Sequence, residues 1–191
     1  MNFNEKEYYD EIFEDINISK ETINSIEFDN CVFKNCIFHT TTFQHCKLAE
    51  CRFENSDLSL VKIKNSIFND INIINSKAIG INWTPVAEPF EVNFDNSDIS
   101  MSSFYELDLR GCDIISCKAN DVDFGRTNLE KANLKETDLL GTTFENTILK
   151  NADLTEALNY MINPELNNIK NTKVSLPEAV SFLEFLDLKV V

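Results

Sequence analysis

Six cysteines, Cys31, Cys36, Cys46, Cys51, Cys112 and Cys117, are the residues of this chain with the most chemical potential. Their repeated C-x4-C spacing invites a metal reading, because a structural zinc site needs four converging thiolates or imidazoles. Only two histidines, His39 and His45, are present to act as a base near neutral pH. Asp121 and Asp123 come nearest to a carboxylate pair for acid and base work. No glycine-rich phosphate loop, no G-x-S-x-G and no H-E-x-x-H occurs. Whether any of these residues can converge depends on the elements that carry them.

Those elements follow a period of five. From Phe28 through Phe33, Phe38 and Phe43 to Trp83, twelve consecutive positions spaced by five hold Phe, Leu, Ile, Ala or Trp, and after a slip of one residue thirteen more run from Phe94 through Phe104 and Phe124 to Leu154. Two residues before each centre lies a second restricted position, occupied by Cys, Ser, Thr, Val, Ile, Ala or Leu and never by a charge. Neither the 3.6 period of a helix nor the 2 of a strand fits. A chain that turns a corner every five residues does, pointing one large and one small side chain inward from each side of a square. Four sides close a coil of about twenty residues, and coils stack at roughly the strand separation of about 4.8 Å.

All six cysteines fall on the small inward position, where a free thiol behaves as a small hydrophobe. Neighbouring five-residue steps put them on different sides of the square, so neither a metal site nor any other cofactor site is expected. His39 and His45 fall on outward positions. Asp98, Asp108, Asp113, Asp123, Asp138 and Asp153 all follow the small position, so no catalytic role is expected for acids there.

The stretches CDI, TNLEK, ANLKE, TDLLG and ADLTE, with FDNCVFKNCIF, resemble the pentapeptide-repeat family, whose consensus reads A-(D/N)-L-x-x. That resemblance implies an all-β fold, a right-handed quadrilateral β-helix. It divides the single solenoid domain into an N-terminal cap or imperfect coil (1–25), a first repeat block (26–83), a break (84–91), a second block (92–156) and a C-terminal cap (157–191). In residues 1–25, Tyr8, Phe13, Ile18 and Ile23 continue the register, while Tyr9, Phe13 and Ile16 suit an amphipathic helix instead. Pro85 and Pro89 predict an interrupted or bent stack at the break, since proline cannot donate to a ladder. In the cap, Ser175 and Glu178 have capping-box spacing, with Pro177 in the first turn of an α-helix over about 176–186.

The 191 residues carry a net charge of −15, which argues against binding nucleic acid directly through a basic surface. Acids outnumber bases 9 to 2 over residues 1–30 and 15 to 6 over 86–160, but trail them 4 to 6 over 31–85. No segment reaches the roughly 18 apolar residues of a membrane span, and no secretory signal opens the chain; a cytoplasmic protein is expected. Two roles remain. One is a non-catalytic interaction module with a protein partner. The other is implied by resemblance of INPELNNIK and SLPEAV to the cap of the subgroup that includes quinolone-resistance and toxin-immunity proteins: an acidic DNA mimic that binds DNA gyrase or topoisomerase IV. The candidate acidic face is Asp98, Asp113, Asp138 and Asp153. Leu176, Val180, Leu183, Leu186 and Val190 are the candidate interface of a homodimer joined through the C-terminal cap.

Overall fold

The computed structural model describes residues 3–186. The chain winds into a parallel β-solenoid of about eight turns. Each short strand pairs with the residue stretch one coil on, as 7–9 with 27–29, 12–14 with 32–34 and 22–24 with 42–44. Four sides result, named here after their inward columns. The first runs from Tyr8 through Phe28, Leu48 and Phe68 to Ile169, and the second from Phe13 through Phe33 and Phe53 to Leu154. The third runs from Ile18 through Phe38 to Leu139, and the fourth from Ile23 through Phe43 and Trp83 to Phe144.

The columns are packed as well as buried. On the fourth side Phe104, Phe124 and Phe144 stack with ring centroids 5.3 and 5.6 Å apart. Such pairs add about 0.5–1.5 kcal/mol beyond the area they bury. Phe3 covers the N-terminal opening edge-on to Tyr8, Phe13 and Phe28, at 5.6, 5.4 and 5.0 Å.

The small inward position has a second task. The Ser97 hydroxyl accepts the N–H of Ser76 at 3.0 Å and donates to the carbonyl of Ile73 at 3.1 Å. Ser76 and Ser56 make the same link one and two coils earlier. A hydroxyl here ties its coil to the preceding one by two bonds, which explains Ser and Thr at buried sites where a hydrophobe alone would satisfy packing.

Gly80, Gly111 and Gly141 turn three of the corners, and most others are turned by non-glycine residues in the left-handed region, among them Asn30, Asn35, Asn55 and Asn96 with φ between 46° and 54°. Asparagine tolerates that conformation because its amide can bond locally. The amides also form ladders, as Asn96 Nδ2 donates to Asn75 Oδ1 at 2.7 Å.

At the break the pairing of neighbouring coils lapses in two places among the described residues, between 87–90 and 107–110 on the first side and between 62–64 and 82–84 on the fourth. Strand 87–95 pairs with 67–74 through two register shifts, Phe68 opposite Phe90 and Ile71 opposite Val92. Phe90 thereby fills the inward place that the slip of one residue had hidden, and it is buried. The third and fourth sides continue across the break through Lys77 with Asp98 and Asn82 with Ser103.

The expected α-helix at the C-terminus is a correction. The segment Glu178–Leu186 is a 3-10 helix, and Leu176 precedes it. The capping box does not close, because both of its side chains are engaged by the last coil. Ser175 Oγ accepts the N–H of Glu156 at 2.8 Å, and Glu178 Oε2 accepts the N–H of Asn159 at 3.2 Å. Phe182 anchors the cap on Tyr160 at 5.7 Å.

Candidate interaction surface

The residue between the two inward positions is where the acids recur, and the backbone explains why. Asp98 Oδ1 accepts the N–H of Ser100 at 3.0 Å, Asp123 Oδ1 that of Gly125 at 2.8 Å and Asp153 Oδ1 that of Thr155 at 3.1 Å. Asn128 does the same for Glu130 at 3.1 Å. Each is an Asx turn that bends the chain toward the next corner. Asp and Asn therefore serve equally, and an acid here is a turn former before it is a charge.

The residues with chemical potential are dispersed. All six cysteines are free and buried, and burial pushes the thiols of Cys51, Cys112 and Cys117 up to about 12. His39 lies on the third side, its Nδ1 3.9 Å from Asp57, and His45 on the fourth, beside Asn65. Asp121 sits on the third side and Asp123 on the fourth, separated by a corner.

The four candidate acids divide between two sides. Asp98 and Asp138 stand on the third side in a column that reads Asp57, Lys77, Asp98, Lys118, Asp138, with Lys118 3.7 Å from Asp98. Asp113 and Asp153 stand on the second side with Asn133 between them. Burial raises the affinity of Asp153 for its proton, but Thr155, Lys173 and Lys135 outweigh it and bring the carboxyl down to about 2. Two lysines, at 3.1 and 3.5 Å, thus already answer its charge.

Sorting outward residues by side exposes a pattern that segment totals conceal. On the first side, from 7–10 to 87–91, eight acids face one base, Lys47. On the second side, from 93–96 to 153–156, five acids face one base, Lys135. The C-terminal half of the first side is reversed, with two acids and four bases, and the third and fourth sides carry four acids and three bases each. One acidic stripe therefore runs diagonally along the rod, from Glu7 and Asp10 through Glu27, Asp70, Glu88 and Glu91 to Asp95, Glu136 and Glu156. The bases of residues 31–85 sit mostly on other sides, Lys62 and Lys64 on the fourth. Folding the sequence at twenty residues per coil would have revealed this.

The cap leaves apolar surface open. Leu176 is 79% and Val180 38% exposed, while Leu183 is half-buried. Of Leu186 only the backbone lies within the described residues, and Val190 lies outside them. Among the described residues no helix is long and apolar enough to cross a membrane.

Known proteins agree with this architecture. The repeat family described as Pentapeptide repeats matches in eight copies over residues 26–65, 36–73 and 123–158. Among solved structures, a trypsin-treated form of QnrB1, a plasmid-mediated fluoroquinolone resistance protein, superposes with a TM-score of 0.67 at 16% identity, covering 94% of this chain and 99% of that one. Full-length QnrB1 gives 0.60 at 13% identity, covering 93% of this chain and 100% of the other. No curated protein matches the sequence significantly. In repeat, register and fold, the chain is a pentapeptide-repeat protein.

Proposed function

We propose that this chain is a non-catalytic interaction protein that binds a basic macromolecular surface along its diagonal acidic stripe. The observation that carries this is the division of charge: thirteen acids against two bases on the stripe, near balance on the third and fourth sides. With about eight coils of about 4.8 Å each, the stripe holds one net negative charge per roughly 3.5 Å. Duplex DNA carries one per about 1.7 Å, so the stripe has about half that linear density. Its charges lie closer together than the screening length of about 8 Å at physiological salt, and they act on a partner collectively.

A narrower reading is that the partner is a type II topoisomerase, gyrase or topoisomerase IV, engaged by imitation of its DNA and protected from a quinolone or a toxin. The fold shared with QnrB1 favours it. In this reading two copies join at the exposed Leu176 and Val180 of the cap, and Asp113 and Asp153 belong to the binding surface. Asp98 and Asp138, with lysines alternating between them, and Asp153, held by Lys173 and Lys135, contribute less to its charge.

Pull-down of purified gyrase and topoisomerase IV, with a supercoiling assay at physiological salt, tests both readings. Retention that is lost in Asp70→Asn, Asp113→Asn and Glu136→Gln combined, and kept in Asp98→Asn with Asp138→Asn, is the expected result. Absence of both retention and inhibition removes the topoisomerase reading; retention indifferent to the stripe removes the electrostatic one.

A further inference from the structure

On the first side every coil pairs with the next except at one step. Strand 67–74 is joined to 87–95, and Asp108 to Asn128, but among the described residues no bridge joins 87–90 to 107–110. Elsewhere on this side the residue before the inward centre donates its N–H to the preceding coil: Asn128 to the Leu107 carbonyl, Ile148 to Thr127, Asn168 to Thr147. Asp108 has no such acceptor among the described residues. The inward centre itself normally donates to the following coil, as Leu109 does to Asn128 and Leu129 to Ile148. Phe90 instead gives its N–H to the carboxylate of Glu88 at 3.1 Å. Asp108 is left with both backbone groups turned to an open seam.

The seam is a groove of about 610 Å³, within the range of small-ligand sites, about 300–1,000 Å³. Phe90, Val92, Leu109 and Cys112 contribute its apolar lining. Gly111 shows independently that the preceding coil has withdrawn. A Cβ built there meets nothing within 4 Å, whereas at Gly80 it would come within 2.8 Å of Leu60 and at Gly141 it would collide with the Asp121 carboxylate.

The rim decides the charge of the occupant. It holds four carboxylates, Glu88, Glu91, Asp108 and Glu130, and two cations, Arg110 and Lys131. Arg110 is held by Asp108 at 2.7 Å, and Glu130 by Lys150 at 2.9 Å. Glu88 and Glu91 are exposed, and neither forms an ion pair among the described residues.

We infer that this seam binds an extended peptide segment bearing Lys or Arg, which supplies the missing rung by accepting the Asp108 N–H and donating to its carbonyl while its cations meet Glu88 and Glu91. An extended segment added to an open strand edge gains affinity from main-chain bonds and selectivity from the side chains beside them. The inference deepens the acidic-stripe reading, on which it rests for the sign of the partner's charge; Glu88 and Glu91 stand where the stripe passes from the first side to the second. The segment is then an extended arm of the basic partner.

Three capped hexapeptides titrated into the full chain, followed by amide chemical shifts, test it: alternating Lys and Thr, the same peptide N-methylated at alternate residues, and alternating Ser and Thr. The first should move the amides of Phe90, Asp108 and Gly111, and N-methylation should weaken it at least tenfold. Gly111→Asn should abolish it, since asparagine adopts the same left-handed corner at Asn96 and Asn146 and would put its side chain into the groove. Asp113→Asn, on the second side, should change nothing at the seam. Equal binding of the N-methylated peptide, binding that survives Gly111→Asn in a folded protein, or no shift with any peptide overturns the seam and leaves the stripe standing. Binding of the neutral peptide as tight as that of the lysine peptide overturns the charge assignment while the missing rung stands.

Discussion

Asp98 and Asp138 occupy one column on the third side with Lys118 between them, its ammonium 3.7 Å from the Asp98 carboxylate. Acids that share a repeat position are thus not thereby an acidic row; the coil period, not the five-residue period, decides what neighbours what.

The first prediction follows from the turn that these acids make. Asp98→Asn keeps an oxygen to accept the Ser100 N–H and loses an exposed ion pair of about 0–1 kcal/mol. Its stability should stay within about 0.5 kcal/mol of the parent. Asp98→Ala removes the acceptor and should cost about 0.5–2 kcal/mol, as losing a comparable side-chain cap does. Urea denaturation of the pair checks this, and equal losses would mean that charge rather than the turn matters here.

Phe124 is fully buried between Phe104 and Phe144, 5.3 and 5.6 Å away. Phe124→Ala should cost about 3–5 kcal/mol, the usual loss for a core aromatic truncated to a cavity. A nearly neutral effect in chemical denaturation would show that the column can collapse.

The thiols set an alkaline limit. Burial holds Cys51, Cys112 and Cys117 up to about 12 when folded, against about 8.5 in an unfolded chain. A raised folded value means that the stabilisation is complete below about pH 8.5 and is lost as pH climbs toward 12. One pKa unit is worth about 1.4 kcal/mol, so each of the three withdraws up to about 5 kcal/mol over that interval. Replacing all three by serine, the residue at Ser56, Ser76 and Ser97 in the same inward role, should flatten stability between pH 9 and 11. At pH 8 all six thiols should resist alkylation until denaturant is added. An unchanged alkaline slope in the serine variant would clear the thiols of responsibility.

The five-residue spacing of Phe28, Phe33 and Phe38 made the solenoid readable, because the inward column depends only on residue size. Other features depend on partners a coil away, and a linear reading does not meet them. Ser97 looks merely small until its hydroxyl is seen bonding the preceding coil twice. Phe90 was hidden by two register shifts in one pairing. Ser175 and Glu178 have the spacing of a capping box, but a terminal coil with N–H groups at Glu156 and Asn159 competes for the same oxygens and takes them. The acidic stripe needed the side of each residue as well as its sign.

The last prediction concerns assembly. Leu176, at 79% exposure, and Val180, at 38%, protrude from a cap whose polar groups are already engaged by the last coil. Burying a leucine or valine contributes about 1.5–3 kcal/mol, and a two-fold contact would count each residue twice. Light scattering should therefore report twice the 21.9 kDa of one chain. Leu176→Lys with Val180→Lys should give a folded monomer, because neither residue holds the cap in place; Phe182 on Tyr160 does that. Deleting residues 175–191 should behave differently, since it uncovers Tyr160 and frees the N–H groups of Glu156 and Asn159, and soluble aggregates are the expected product. A monomer from the intact chain would sink the dimer and with it any reading in which two acidic stripes join into one long rod.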